Sequence, residues 1–348
     1  MTTKTLTKTM KSIIKENAGP GLTFKQSEIP QPGKGEVLIH VKFSAICGSD
    51  LHIYQWNDWA AGVGIKVPGV SGHECVGEVV ELGSGVTSFT VGDRVSVETH
   101  IPCGECELCL TGKQHICENL TYFGLHIDGC FAEWAVVPEV CLRKIPEFIP
   151  EEVAAILEPL GVGVHAAQVG DVQGKKVAVL GAGPIGLYSA CASLALGAES
   201  VYISDLKQSR LDVALQCGDF KAFNPAETPI SSIFSGDNKA DVIIETTGSS
   251  RAFNEALPYL KKGGKAVMVG LFPGDVPVNL SSIATKEITL SGISGRMMWE
   301  TWDLMEQLLL ENKLNVLPSI THRFSLEDFE EAFRVALNGE GVKVLLRP

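Results

Sequence analysis

The stretch KVAVLGAGPIGLYSACASLALG, residues 176–197, decides the fold. Four apolar residues, Val177 to Leu180, follow Lys176, and Gly181, Gly183 and Gly186 come next in the spacing G-x-G-x-x-G. An Ala-rich run then begins at Pro184, a residue whose fixed φ suits the first turn of a helix. This is a strand, a tight turn and a helix in immediate succession. In that context the glycines have separate tasks: Gly181 makes the turn, Gly183 lets backbone approach a pyrophosphate, and Gly186 lets helix and strand pack closely. The helix start, with its unpaired N–H groups, then faces the phosphates.

The same rhythm continues outward. VYISD (201–205) precedes QSRLDVALQCG, DVIIETTG (241–248) precedes RAFNEALPYLKKGG, and KAVMVG and ITLSGI follow. Short apolar strands alternating with amphipathic helices predict a doubly wound parallel sheet, so the fold class is α/β. Asp205 closes the second strand, where a carboxylate can bind both ribose hydroxyls and repel a 2′-phosphate. That favours NAD over NADP, although Lys207 and Arg210 stand close by.

Upstream the texture differs. GEVLIHVKFSAI (35–46), HECVGEVVEL (73–82), DRVSVE (93–98) and AEWAVV (132–137) are short β-branched runs separated by QPGKG and GSG, which predict an antiparallel, barrel-like β domain. From about residue 300 come a helix in TWDLMEQLLLEN, an extended THRFS, a helix from LEDFEEAFRVALNG and a final strand KVLLRP. The expected organisation is a β domain over 1–159, an inserted dinucleotide-binding domain over 160–295, and a segment 296–348 that returns to the first. The polar MTTKTLTKT at the start reads as a tail before the first strand and lacks a secretory signal's apolar core.

Net charge is −12 over 348 residues. This mean field disfavours nucleic acid and anionic membrane as partners. No apolar run approaches the roughly 20 residues that span a bilayer. Ten cysteines without a secretory signal point to reduced thiols and metal in the cytoplasm. Four of them, Cys103, Cys106, Cys109 and Cys117 in IPCGECELCLTGKQHIC, follow C-x2-C-x2-C-x7-C and can close a tetrahedron around one structural zinc in a lobe at about 100–120. Cys47, His73, Glu74 and Glu158 are more dispersed, and spacing alone leaves open whether they share a metal or are scattered structural residues.

C-G-S-D-x-H at 47–52, G-H-E-x-x-G-E at 72–78, the four-Cys lobe and G-A-G-P-I-G occur in the order found in the zinc-dependent medium-chain alcohol dehydrogenases. The chain resembles that family over nearly all its length after the first ten residues. The resemblance implies a GroES-like catalytic domain with an inserted Rossmann domain, two zinc ions per chain, NAD, and a homotetramer. It implies Cys47, His73 and Glu74 as ligands of a catalytic zinc, with Glu158 on the metal or beside it. Ser49 and His52 are the implied proton relay. Ile185, Asp205 and Arg210 are implied at the pyrophosphate and ribose, with Val269, Gly270, Leu271, Ile293 and Ser294 beside the nicotinamide.

Within the family, CGSDLHIYQWNDWA, VETHIPCGECELC, DGCFAEWAVVP, GRMMWETW and ITHRFSLEDFEEAF resemble members that oxidise the 3-hydroxyl of L-threonine to 2-amino-3-ketobutyrate. The implied chemistry is alkoxide formation at zinc, proton relay and hydride transfer to NAD. Arg296 is the candidate partner for a substrate carboxylate. A polyol or 2,3-butanediol dehydrogenase of the same family is the alternative. A non-catalytic dinucleotide-binding module is the competing class, against which the complete ligand set speaks. One departure stands out: EPLGVGVHA, residues 158–166, occupies the place of an expected EPLGNAVHT, which removes two polar side chains.

Overall fold

The computed structural model describes residues 8–348. The tail expected over the first nine residues lies mostly outside that range, and the first strand already begins at Thr9. The chain divides into two compact units, Met1–Glu158 with Ile320–Pro348, and Pro159–Ser319.

The second unit carries a six-stranded, wholly parallel sheet. Its order is Lys221–Phe223, Ser200–Ser204, Lys176–Leu180, Ala240–Glu245, Leu260–Met268, Thr289–Gly292. Numbered along this unit the order is 3-2-1-4-5-6, and the chain reverses direction across the sheet beside Lys176–Leu180, where a dinucleotide crevice forms. Helix Pro184–Ala195 follows that strand directly, with Gly183 as its N-cap residue and Pro184 in its first turn.

The first unit holds a larger sheet in the order Leu142–Lys144, Arg94–Val97, Glu74–Leu82, Glu36–Ala45, Lys343–Arg347, Ile320–Ser325, with Trp134–Pro138 also on Glu36–Ala45. It is antiparallel as expected except for its last pair, Ile320–Ser325 and Lys343–Arg347, which run parallel with helix Phe329–Leu337 between them. Alternate residues of Glu36–Ala45 and Glu74–Leu82 fill a core with Phe123, Phe89 and Val97. A three-stranded sheet, Thr23–Glu28, Thr9–Lys15 and Gly69–Val70, completes the unit.

Return to the first unit comes at Ile320 rather than at 296. Residues 296–319 stay with the second unit because their side chains are committed there. His165 Nδ1 lies 3.1 Å from the Gly295 carbonyl, Thr301 Oγ1 donates to Gln168 at 3.4 Å, and Tyr188 meets Ser319 at 3.1 Å. Trp302 and Met305 are fully buried.

Within the departure at 158–166, Gly163 has a packing explanation, while nothing in the structure explains Val162 and Ala166 in place of the two polar residues. The stretch lies on helix Leu157–Gly170, and a Cβ at Gly163 would stand 2.5 Å from the Tyr188 carbonyl carbon and 2.6 Å from the Ser189 nitrogen. Those are backbone atoms of helix Pro184–Ala195 and have little freedom to step aside. Gly163→Ala is therefore expected to destabilise the protein by roughly 1–3 kcal/mol. Thermal denaturation reads this directly, and an unchanged Tm would mean the two helices separate without cost.

Candidate active site and its metal centres

Cys47 ends strand Glu36–Ala45 by two residues and starts helix Gly48–Gln55. The helix start is closed by a reciprocal cap: the Asp50 amide reaches the Cys47 sulfur, and Asp50 Oδ2 accepts the Cys47 amide at 2.8 Å. This cap fixes the direction of the thiol. His73 and Glu74 arrive at the start of strand Glu74–Leu82, which pairs Glu74 with Ala45. Strand pairing thus carries the GHE segment to the CGSD turn.

One donor atom each from Cys47, His73 and Glu74 lies within 4.8 Å of the others. His73 and Glu74 are buried at 4% and 0% exposure, so neither is a solvated surface group. Among the described residues Glu74 Oε1 has no hydrogen-bond partner, while Oε2 forms an ion pair with the buried Lys343 ammonium, which also donates to the Ile46 carbonyl at 3.0 Å. Asp50 Oδ1 and His73 Nδ1 face each other at 3.6 Å, just beyond hydrogen-bonding distance, and neither has another partner among the described residues. Burial alone would hold His73 neutral, yet Asp50 and Cys47 push its pKa well above the usual imidazole value. Burial likewise raises Glu74 against the pull of Lys343. A half-buried thiol beside a buried imidazole and carboxylate, a set that calls for positive charge, fits a zinc ion of the kind that leaves a coordination position for water or substrate.

Glu158 lies outside this donor set. Its Oε1 accepts the Thr99 hydroxyl at 2.7 Å, and its charge reaches both His73 and Glu74. Ser49 Oγ lies 3.5 Å from His73 Nε2, so it stands at the cluster. His52, one turn on, is exposed, packs over Trp59 at 5.6 Å, and has Nδ1 2.7 Å from the Asn57 amide nitrogen.

The second cluster lies apart in sequence and in character. Cys103, Cys106, Cys109 and Cys117 also have their sulfurs within 4.8 Å of one another. Two of the sulfur pairs are 4.0 and 3.8 Å apart. A tetrahedron with Zn–S bonds of about 2.3 Å has edges of about 3.8 Å, so the lobe has the dimensions of a closed four-thiolate site. Backbone N–H groups of Glu105 and Cys106 bring the Cys103 thiol down to about 6. Desolvation and the three neighbouring sulfurs push Cys109 up to about 12. Four such thiols ionise together only around a cation.

In the second unit, a cavity of about 500 Å³ at the sheet's carboxyl edge is lined by Gly181, Gly183, Asp205, Arg210, Thr246 and Arg251, among others. Gly181 has φ +97°, and a Cβ at Gly186 would stand 2.0 Å from its carbonyl oxygen, so both glycines are required by backbone approach. Asp205 Oδ2 accepts the Ala182 amide at 2.9 Å and Oδ1 the Lys207 amide at 2.9 Å, with Arg210 3.6 Å away. Ile185 sits in the first turn of the helix. Val269, Gly270 and Leu271 follow strand Leu260–Met268, and Ile293 and Ser294 follow its neighbour Thr289–Gly292; Ile293 donates to Met268 at 3.1 Å. These five residues line the ends of adjacent strands and do not border the 500 Å³ cavity.

Arg296 is 1% exposed, and its Cδ is only 2.6 Å from where a Cβ on Gly161 would sit. It packs against helix Leu157–Gly170. Asp50, Lys343 and Thr99 were not singled out by the sequence reading. Asp50 had a signal, the capping-box spacing from Cys47. Lys343 had none, because strand pairing brings it from 297 positions beyond Ile46.

Residues 33–147 match the alcohol dehydrogenase GroES-like domain, and residues 184–311 match the zinc-binding dehydrogenase domain. An L-threonine 3-dehydrogenase of Pyrococcus horikoshii is 42% identical over 342 residues, covering 97% of this chain and 98% of that one. The chain belongs to the zinc-binding medium-chain dehydrogenases. Solved dehydrogenases share its fold over nearly their whole length. An Escherichia coli alcohol dehydrogenase complexed with NADH has a TM-score of 0.89 at 30% identity, covering 98% of this chain and 99% of that one. The 2R,3R-butanediol dehydrogenase of Bacillus subtilis has a TM-score of 0.88 at 29% identity, with coverage of 97% and 99%. This dehydrogenase thus combines a GroES-like unit with a Rossmann unit, and among the described residues no helix is long and apolar enough to cross a membrane.

Proposed function

We propose that this dehydrogenase oxidises the 3-hydroxyl of L-threonine to 2-amino-3-ketobutyrate with NAD as hydride acceptor. The observation that carries the reading is the convergence of Cys47, His73 and Glu74 in a chain 42% identical, end to end, to an L-threonine 3-dehydrogenase. Cys47, His73 and Glu74 hold the catalytic zinc, and Cys103, Cys106, Cys109 and Cys117 hold a structural one. Bound zinc supplies Lewis acidity, which lowers the pKa of a substrate hydroxyl toward neutrality.

The chain's own groups do the rest. Asp50 orients Cys47 through the cap and faces His73, while Lys343 holds Glu74 in place and offsets its charge. Ser49 would take the substrate hydroxyl's proton as it passes its own on through the cofactor ribose to His52, whose exposed imidazole releases one to solvent. Glu158, held by Thr99, acts beside the metal and offers a carboxylate to the substrate ammonium.

The chain works as a homotetramer in the cytoplasm. None of the ten cysteines is paired in a disulfide, which agrees with a reducing compartment. Strand Thr289–Gly292 lies at the open edge of the parallel sheet with Leu290 exposed, a surface on which a second copy can pair.

The deciding experiment follows NADH formation with metal-replete protein on L-threonine, sorbitol, 2,3-butanediol and ethanol. Preference for L-threonine supports the reading. Preference for a polyol or butanediol discards the substrate and keeps the zinc and cofactor assignments. Cofactor choice is tested separately. With Asp205 in place, kcat/KM for NAD is expected to exceed that for NADP by roughly 100-fold, and Asp205→Ala to cut the ratio to below about tenfold, because the carboxylate no longer repels a 2′-phosphate that Arg210 can meet. An unchanged ratio would remove Asp205 from cofactor selection.

A further inference from the structure

Strand Ala240–Glu245 ends in a fully buried carboxylate, Glu245, at 0% exposure. A carboxylate in that position is costly unless it is thoroughly hydrogen-bonded. Here it is. Oε1 accepts the Thr247 amide at 2.7 Å and also the Thr247 hydroxyl, and Oε2 accepts the Gly248 amide at 3.2 Å. The Glu245 carbonyl in turn accepts the amides of Val269 at 2.9 Å and Gly270 at 3.0 Å.

Around this residue two loops touch with no space between them. A Cβ at Gly270 would lie 2.3 Å from the Gly248 nitrogen and 2.5 Å from Glu245 Oε2. A Cβ at Gly248, which has φ +63°, would lie 2.2 Å from the Leu271 carbonyl oxygen. On the other side Thr246 donates its hydroxyl to the Leu180 carbonyl at 2.7 Å, and a Cβ on Gly181 would stand 2.9 Å from side-chain atoms of both Thr246 and Thr247. Contact is therefore continuous from the glycine turn at 181, through 246–248, to 269–271. Glu245 itself does not line the 500 Å³ cavity, although Thr246, Thr247 and Ser249 do.

We propose that Glu245 is a positioning residue for the dinucleotide, locking the loop after its own strand against the loop after strand Leu260–Met268 so that both present one fixed edge to the nicotinamide half. This rests on the NAD reading above. The carboxylate acts through Thr247, Gly248 and Gly270 and touches no cofactor atom itself. A glutamine keeps the shape but can set an N–H against the Gly248 or Thr247 donors, which loosens the loop contact without opening a cavity.

The test compares two ligands on the zinc-replete protein. For Glu245→Gln the Kd of NADH is expected to rise roughly tenfold, while that of 5′-AMP, which lacks the nicotinamide half, rises less than about twofold. Thr247→Val, at an exposed position, removes the hydroxyl that donates to Glu245 and accepts the Ser249 amide at 3.0 Å, and should shift the same NADH-to-AMP ratio by about threefold. It carries the test if Glu245→Gln does not fold. Equal weakening of both ligands in these variants would make Glu245 a general support of the fold and overturn the proposal, as would unchanged NADH binding. Failure of the wild-type chain to bind NADH would instead overturn the cofactor reading, and this inference with it.

Discussion

The Cys47→Ser protein is expected to oxidise its substrate at least about 10³-fold more slowly than the wild type, because Lewis-acid activation of the hydroxyl depends on a metal held in place. Metal analysis should show the loss of one zinc per chain, with the other retained. Folding should be nearly unaffected. Cys47 is only half-buried, its helix start keeps the Asp50 carboxylate on the backbone amide, and the unit's core of Val37, Ile39, Phe123 and Val97 does not include it. Serine has a similar size, but its hydroxyl is a poor ligand for zinc beside a thiolate. A variant that keeps near-normal activity, or that keeps both zincs, would show that the Cys47, His73 and Glu74 cluster is not the reactive centre.

Cys106→Ser should produce the converse result. The lobe around it contains little regular structure: the two-residue strand His100–Ile101, the four-residue helix Glu107–Leu110 and a 3-10 turn at Gln114–Ile116. Leu110 is 74% exposed, so the lobe has no apolar core of its own to fall back on. Its order comes from sulfur: the amides of Cys103 and Asn119 both donate to the Cys117 thiol at 3.3 Å, and the four sulfurs face one another. Without the metal those thiols repel ionisation and the segment loses its tether. Expected outcomes are the loss of one zinc, proteolytic cleavage within 100–120, and a fall in Tm of roughly 10 °C. Intact resistance to protease with one zinc missing would mean that the lobe folds without metal. Taken together, the two variants lose the same number of zinc ions with opposite consequences, one chemical and one structural.

Much of this was legible before any coordinates. The parallel sheet could be read from 176–197 outward because its signals are local: an apolar strand, a glycine turn and a helix start lie within a dozen residues. The four-Cys lobe is local in the same way, and its ligands fall within fifteen positions. For the dispersed site, by contrast, spacing alone left the grouping of Cys47, His73 and Glu74 open, and only resemblance to a family joined them. The pairing of Ala45 with Glu74 supplies the physical link, since it brings the two segments side by side.

What the amino-acid sequence determined by itself was therefore the strand–helix alternation of the second unit, the class of both units and the kinds of chemistry the chain carries, all of which depend on neighbours in sequence. Tertiary structure decided which buried groups serve them. Lys343 comes to Glu74 only because the last strand pairs beside Glu36–Ala45. The segment from Gly295 to Ser319 remains with the second unit because His165, Gln168 and Tyr188 bind Gly295, Thr301 and Ser319 there. Gly163 and Glu245 acquire their meaning from backbone atoms more than twenty residues away. Charge pairing and close packing act through space at a few ångströms, and no periodicity along the chain records them.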